Sequence, residues 1–245
     1  MRGSSTGIRR IATATLAMAA LGWTAALAEE RVALLIGNER YASAQLSNLS
    51  NPANDARALE PVLARLGFAT DVLVDADRAA AEAALHEFSA DAAGAEVALF
   101  FFSGHAVQIE GTNRLLTAGF SQRIEPESGT ERFLAEVERE TLDLDAVREA
   151  LAAAAPDLGL IVLDSCRDNP FIDSGLAVRG LARAPGRSRL LIAFATDPGN
   201  VAYDGGGANS PFTAALLDHI ATPGLEVRLM FGRVRQDVVL ATGGR

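Results

Sequence analysis

Val97-Ala98-Leu99-Phe100-Phe101-Phe102-Ser103-Gly104-His105 decides how this chain folds. An unbroken apolar run ends abruptly at Ser-Gly-His. A run this short, stopped by glycine, is the pattern of a strand buried on both faces, and such strands belong to parallel sheets covered by helices. The sequence on either side has the same form. Apolar runs at residues 32–36, 69–74, 158–163 and 190–194 predict four more strands. Apolar residues at helical spacing predict helices over 54–66, 78–90, 142–154, 210–220 and 226–240, with Gly67 and Pro156 as stops. Strand–helix alternation predicts an α/β domain, a three-layer, mostly parallel sheet with helices on both faces. Ligands of such sheets meet the carboxyl ends of the strands. Four tips therefore matter: Gly37-Asn38-Glu39-Arg40-Tyr41, Ser103-Gly104-His105-Ala106, Asp164-Ser165-Cys166-Arg167-Asp168 and Ala195-Thr196-Asp197-Pro198-Gly199.

The bulk composition fits that frame. The chain has 245 residues, 49% of them hydrophobic, enough for one sizeable core or two small ones. All 22 basic residues are Arg, and the formal charge is −9. Removing Arg2, Arg9 and Arg10 with a leader lowers it to −12. Such a surface argues against nucleic-acid binding. The leader is expected from Arg9-Arg10, a largely apolar run over 11–27, and Ala26-Leu27-Ala28 before Glu29-Glu30. That is the tripartite plan of a signal peptide over residues 1–28, cut after Ala28 and leaving a domain over 29–245. The rival is an uncleaved anchor. Thr13, Thr15, Gly22 and Thr24 leave the run short of the roughly 20 strongly apolar residues a spanning helix needs. The expectation is an exported, periplasmic or secreted protein with no stable membrane insertion once the leader is gone. Arg9-Arg10 leaves the export route open.

Cys166 is the single cysteine, so no intramolecular disulfide can form. A lone cysteine is ordinarily a small buried hydrophobe, and a lone loop histidine ordinarily a capping group. Here both stand just past apolar strands. Neighbouring strands lie about 4.8 Å apart, so adjacent strands would bring His105 and Cys166 together as the base and nucleophile of thiol chemistry. His86 is expected on a helix surface, and His219 near a helix C-terminus. No metal-ligand spacing or G-x-G-x-x-G loop occurs, and no G-x-S-x-G follows a predicted strand as a serine-hydrolase elbow would.

Ser103-Gly104-His105 and Asp164-Ser165-Cys166, each closing an apolar block, resemble the caspase and metacaspase superfamily. So do Arg167-Asp168-Asn169-Pro170-Phe171, Leu35-Ile36-Gly37-Asn38 with Tyr41, Asn54-Asp55-Ala56 and Asn209-Ser210-Pro211-Phe212-Thr213, which are similar to the bacterial caspase-domain branch of the C14 peptidases. The resemblance runs from about residue 31 to the C-terminus. It implies a caspase-like (flavodoxin-like) fold and a cysteine endopeptidase acting on polypeptides. Cys166 would form an acyl-enzyme, and His105 would protonate the leaving amine and later activate water. The backbone N–H groups of Ala106 and Cys166 would hold the oxyanion. Members usually carry Gly after the histidine; were positive φ needed there, Ala106 would cost on the order of 1 kcal/mol.

The acidic residue before the nucleophile is as in metacaspases, which cleave after Arg or Lys. Asp164 and Asp55 would read the basic side chain, possible partners for a guanidinium in bidentate geometry, with Ser103 beside them. Otherwise Asp164 accepts loop N–H bonds and Asp55 favours a helix start. The Gly- and Arg-rich stretch 172–188 lies where this superfamily has its subunit junction, and is expected either to be self-cleaved after Arg or to be a solvated loop. Relatives continue into a further strand beyond position 245, so the domain is expected to lack a terminal strand. Some metacaspases are calcium-activated, but no oxygen cage can be assembled around Asp168, and no cofactor is expected. Two other classes fit the same residues: a catalytically weak caspase-fold module that binds partners, and a flavodoxin-like ligand-binding protein.

Overall fold

The computed structural model describes residues 31–109, 111–121, 130–166, 177–178, 189–195 and 206–243, with the backbone alone for Thr130, Cys166, Ala177 and Val178. The leader 1–28, the 167–171 motif and the 172–188 stretch other than 177–178 lie outside the described residues. The first half comprises β1 (Arg31–Gly37), α1 (Pro52–Arg65), β2 (Ala69–Val74), α2 (Arg78–Asp91), β3 (Val97–Ile109), β4 (Thr112–Leu116) and α3 (Thr130–Arg139). The second comprises β5 (Thr141–Asp143), α4 (Leu144–Ala154), β6 (Leu158–Cys166), β7 (Ala177–Val178), β8 (Leu190–Phe194), α5 (Pro211–His219) and α6 (Val227–Thr242).

Five strands form a parallel sheet in the order β2-β1-β3-β6-β8. Successive residues of a strand point to opposite faces, and the phenylalanine run is divided accordingly. Phe100 and Phe102 join Leu34, Ile161 and Leu163 against Leu85 and Phe88 of α2 and Val147 and Leu151 of α4. Phe101 and Leu99 join Leu35, Leu160 and Val162 against α1, α5 and α6 through Leu59, Leu63, Phe212, Leu216 and Met230. The α/β expectation therefore holds, with a helical layer on each face. The three rings are almost wholly buried, each worth roughly 2–3 kcal/mol of transfer free energy.

The central strand runs further than its apolar pattern. β3 continues through Ser-Gly-His to Ile109, and its second half enters a small antiparallel sheet. Ala106 to Ile109 pair with β4, β4 pairs with β5, and Gln108 and Ile109 pair with β7. Val107, Ile109, Leu116 and Phe120 close there on Phe133 and Val137 of α3. β7 gives part of the 172–188 stretch a ladder partner, where one expectation was a solvated loop.

Candidate active site

The carboxyl ends of β1 and β3, the turn after β2 and the end of β4 are stitched together by the loop that follows β1. A side chain at Gly37 would strike the Pro52 carbonyl oxygen, its Cβ only 2.2 Å away, so glycine lets α1 start directly against the strand end. Asn38 is buried and clips three segments. Its Nδ2 donates to the Leu116 carbonyl (3.1 Å), its Oδ1 accepts from Ala76 N–H (2.9 Å), and its own N–H donates to the Ser103 carbonyl (2.9 Å). Asp75, at φ 51, accepts the Glu39 and Arg40 N–H groups on Oδ1 at 2.9 and 3.0 Å. The loop is thereby held rigid before it reaches Tyr41.

β3 and β6 are adjacent, and their register pairs Ser103 with Asp164 and His105 with Cys166. The interval of two between members of each pair makes these four positions a block on one face of the sheet, the face covered by α1, α5 and α6. The His105 ring is buried. Its Nε2 lies 2.9 Å from the Ser47 carbonyl oxygen, and its ring centroid lies 4.9 Å from that of Tyr41, tilted by 47°. A carbonyl only accepts, so Nε2 carries the ring proton and Nδ1 is the basic nitrogen. The His105 N–H donates to the Tyr41 hydroxyl (2.8 Å), which donates to the Asn38 carbonyl (2.9 Å).

The two carboxylates meet on the N-terminus of α5. Asp55 Oδ1 accepts from Asn209 Nδ2 (2.9 Å) and Ser210 N–H (3.1 Å), and its Oδ2 accepts from Ser103 Oγ (3.1 Å). Asp164 Oδ2 accepts from the Ser210 hydroxyl and from Thr213 Oγ1 (2.7 Å). Ser210 is also the N-cap of α5, accepting the Thr213 N–H on Oγ (2.9 Å). Burial first, then the charge of Asp164, raise the Asp55 pKa from 3.8 to about 7. Two buried carboxylates this close repel one another when both are charged, and the raised pKa of Asp55 is the consequence: a proton held by Asp55 relieves the pair.

Asp55, Ser103 and Asp164 thus stand together, and His105 and Cys166 are ladder partners. The condition under which Ala106 would be strained is not met. Among the described residues, positive φ outside glycine occurs only at Asp75 and Ala155; Ala106 is an ordinary strand residue opposite Leu115. The unusual backbone lies two residues earlier, at Gly104, with φ 153. Sequence reasoning quoted Tyr41, Asn209, Ser210 and Thr213 only as motif members and gave them no work. For Ser210 the signal was present: serine before a proline-started helix is an N-cap pattern. His86 is exposed on α2, as expected, and His219 at the end of α5 pairs with Asp237 of α6 at 2.6 Å. Among the described residues no group of three His, Cys, Asp or Glu side chains could hold a metal ion.

A helix-covered parallel sheet thus sets positions 105 and 166 in register at its carboxyl edge, beside two buried carboxylates. The family described as the caspase domain, peptidase C14, matches residues 30–245, and the chain belongs to that family. No curated protein matches it.

Proposed function

We propose that this protein is a cysteine endopeptidase with a His105–Cys166 dyad that cleaves after Arg or Lys. The observation that carries it is the β3–β6 register, which makes His105 and Cys166 direct partners beside the Asp55–Asp164 pair. His105 Nδ1 takes the thiol proton of Cys166, and the thiolate adds to the scissile carbonyl carbon. The tetrahedral oxyanion is received by the N–H groups of Ala106 and Cys166. Collapse breaks the C–N bond, His105 passes its proton to the leaving amine, and a thioester remains. Water, deprotonated by His105, then releases the acid and restores the thiol. Backbone geometry supports the oxyanion site. Successive N–H groups of a strand point to opposite neighbours, and His105 N–H points to the β1 side. Ala106 N–H therefore points to the β6 side, where Cys166 ends its strand.

The charge preference rests on the carboxylates: an arginine guanidinium offered to Asp55 and Asp164 gains charge-assisted hydrogen bonds and relieves their mutual repulsion. Paired fluorogenic peptides ending in Arg, Lys and Asp test both claims, with Cys166→Ala and His105→Ala as controls. Turnover of the Arg and Lys peptides by the wild type alone is expected. Faster turnover of the Asp peptide would reject the specificity, and equal rates in the Cys166→Ala variant would reject the mechanism.

Self-cleavage after an Arg in 172–188 and export by residues 1–28 belong to the same proposal. Intact-mass analysis of wild type beside Cys166→Ala, made in a bacterial host and split into periplasm and cytoplasm, tests both. Identical fragments from the two proteins would end the first idea, and a mature N-terminus other than Glu29 the second.

A further inference from the structure

The last rung between β1 and β3 is not made by backbone alone. In a parallel ladder a residue's N–H donates to one partner carbonyl, and its own carbonyl accepts from the N–H two residues further along the partner strand. Asn38 makes the first of these bonds, from its N–H to the Ser103 carbonyl at 2.9 Å. The second should run from His105 N–H to the Asn38 carbonyl. Instead the Tyr41 hydroxyl stands between them, accepting from His105 N–H at 2.8 Å and donating to the Asn38 carbonyl at 2.9 Å. A side-chain oxygen is thus inserted into the terminal rung of the sheet.

The surroundings are shaped for this wedge. A Cβ at Gly104 would lie 2.8 Å from the Tyr41 hydroxyl and 3.1 Å from the Asn38 carbonyl oxygen, so only glycine leaves the hydroxyl its place. The wedge is braced on both sides in sequence. Asp75 fixes residues 39 and 40, and the N–H groups of Ala42 and Ser43 donate to the carbonyls of Ala118 (3.0 Å) and Phe120 (2.8 Å). At this point β3 leaves β1 and turns to pair with β4 from Ala106 onward.

We propose that Tyr41 is a positioning residue for the reaction, its hydroxyl setting the aim of the His105 imidazole and, through the peptide that follows, of the Ala106 N–H. The proposal rests on the peptidase reading above for its kinetic consequence and on the ladder geometry alone for its structural one. A hydroxyl wedge holds the strands apart by the width of one oxygen. Without it, His105 N–H can close directly on the Asn38 carbonyl, carrying the imidazole with it by an ångström or more.

Tyr41→Phe tests this, since it keeps the ring against His105 and removes only the oxygen. Phe88→Leu, a buried change on α2 away from the site, is the control for a loss of stability alone. With the Arg peptide, kcat of Tyr41→Phe is expected to fall about tenfold to a hundredfold, the usual cost of misplacing a catalytic group by that distance, with KM almost unchanged. Unchanged kcat, a rise in KM alone, or a kcat loss matched by Phe88→Leu at equal melting temperature would overturn the proposal. Should the wild type turn over no peptide, the peptidase reading fails by itself and the decision passes to nitrogen-15 NMR of the His105 imidazole. Displaced Nδ1 and Nε2 resonances in Tyr41→Phe but not in Phe88→Leu then support the wedge, and coincident spectra overturn it.

Discussion

Replacing Asp55 by Asn should stabilise the fold, and only at neutral and alkaline pH. The native carboxyl titrates near 7 against an ordinary 3.8, chiefly because it is buried and then because Asp164 faces it. The native pKa is raised, so between about pH 4 and 7 the folded chain holds a proton that the unfolded chain has released. Stability therefore falls as pH rises through that window, by up to about 1.4 kcal/mol per pH unit, and levels off above it. The total at pH 8 is on the order of 4 kcal/mol. An asparagine fits the same hydrogen-bond pattern. Its carbonyl can accept from Asn209 Nδ2 and Ser210 N–H, and its amide can donate to Ser103 Oγ, which the carboxylate now accepts from. It loses the strength of charged bonds, so the net gain is about 2–4 kcal/mol at pH 8 and close to zero at pH 5. That corresponds to roughly 5–15 °C in melting temperature for a chain of this size. Thermal melts by circular dichroism at pH 5 and pH 8, both proteins carrying Cys166→Ala, measure it. An equal gain at both pH values, or a loss at pH 8, would refute the reasoning. With Cys166 intact, Asp55→Asn should lose roughly tenfold to a hundredfold in kcat/KM for Arg peptides, the worth of one charge-assisted bond.

Other substitutions test other parts of the structure. Gly37→Ala forces a methyl onto the Pro52 carbonyl and should cost about 1–3 kcal/mol by urea denaturation, with the strand end or α1 displaced. Ala106→Gly relieves no strain, because its backbone is ordinary strand. It should leave kcat unimproved and lower stability by roughly 0.5–1 kcal/mol. Phe101→Ala empties the heart of the α1–α5–α6 layer and should cost about 3–5 kcal/mol in the same assay. Asp75→Ala removes the acceptor for two loop N–H groups and puts alanine at φ 51. A loss of about 2–3 kcal/mol is expected, with faster amide exchange at Glu39 and Arg40.

Long apolar runs and helical stripes made most of the fold legible. β1, β2, β6 and β8 and the helices α1, α2, α4, α5 and α6 stand within a few residues of where their patterns begin and end, because each buries a whole face against a neighbour. β4, β5, β7 and the second half of β3 were not legible. They are short or carry mixed residues such as Thr112-Asn113-Arg114, and they become strands only through partners distant in sequence. α3 shows only Phe133, Leu134 and Val137 as an apolar stripe, too brief for a periodic signal. In the site, the residue types with chemistry of their own announced themselves. The positioning role of Tyr41 could not, since its hydroxyl meets a peptide 64 residues away and the bond depends on how two strand ends separate.

The pairing of β3 with β6 also sets when this site can exist during synthesis. Position 105 is made early, but its partner strand begins only at Leu158 and reaches position 166 at its very end. A nascent chain that has not yet presented β6 contains position 105 without position 166 beside it. Because contacts of such long sequence separation form late, assembly of the two positions reports completion of the central sheet.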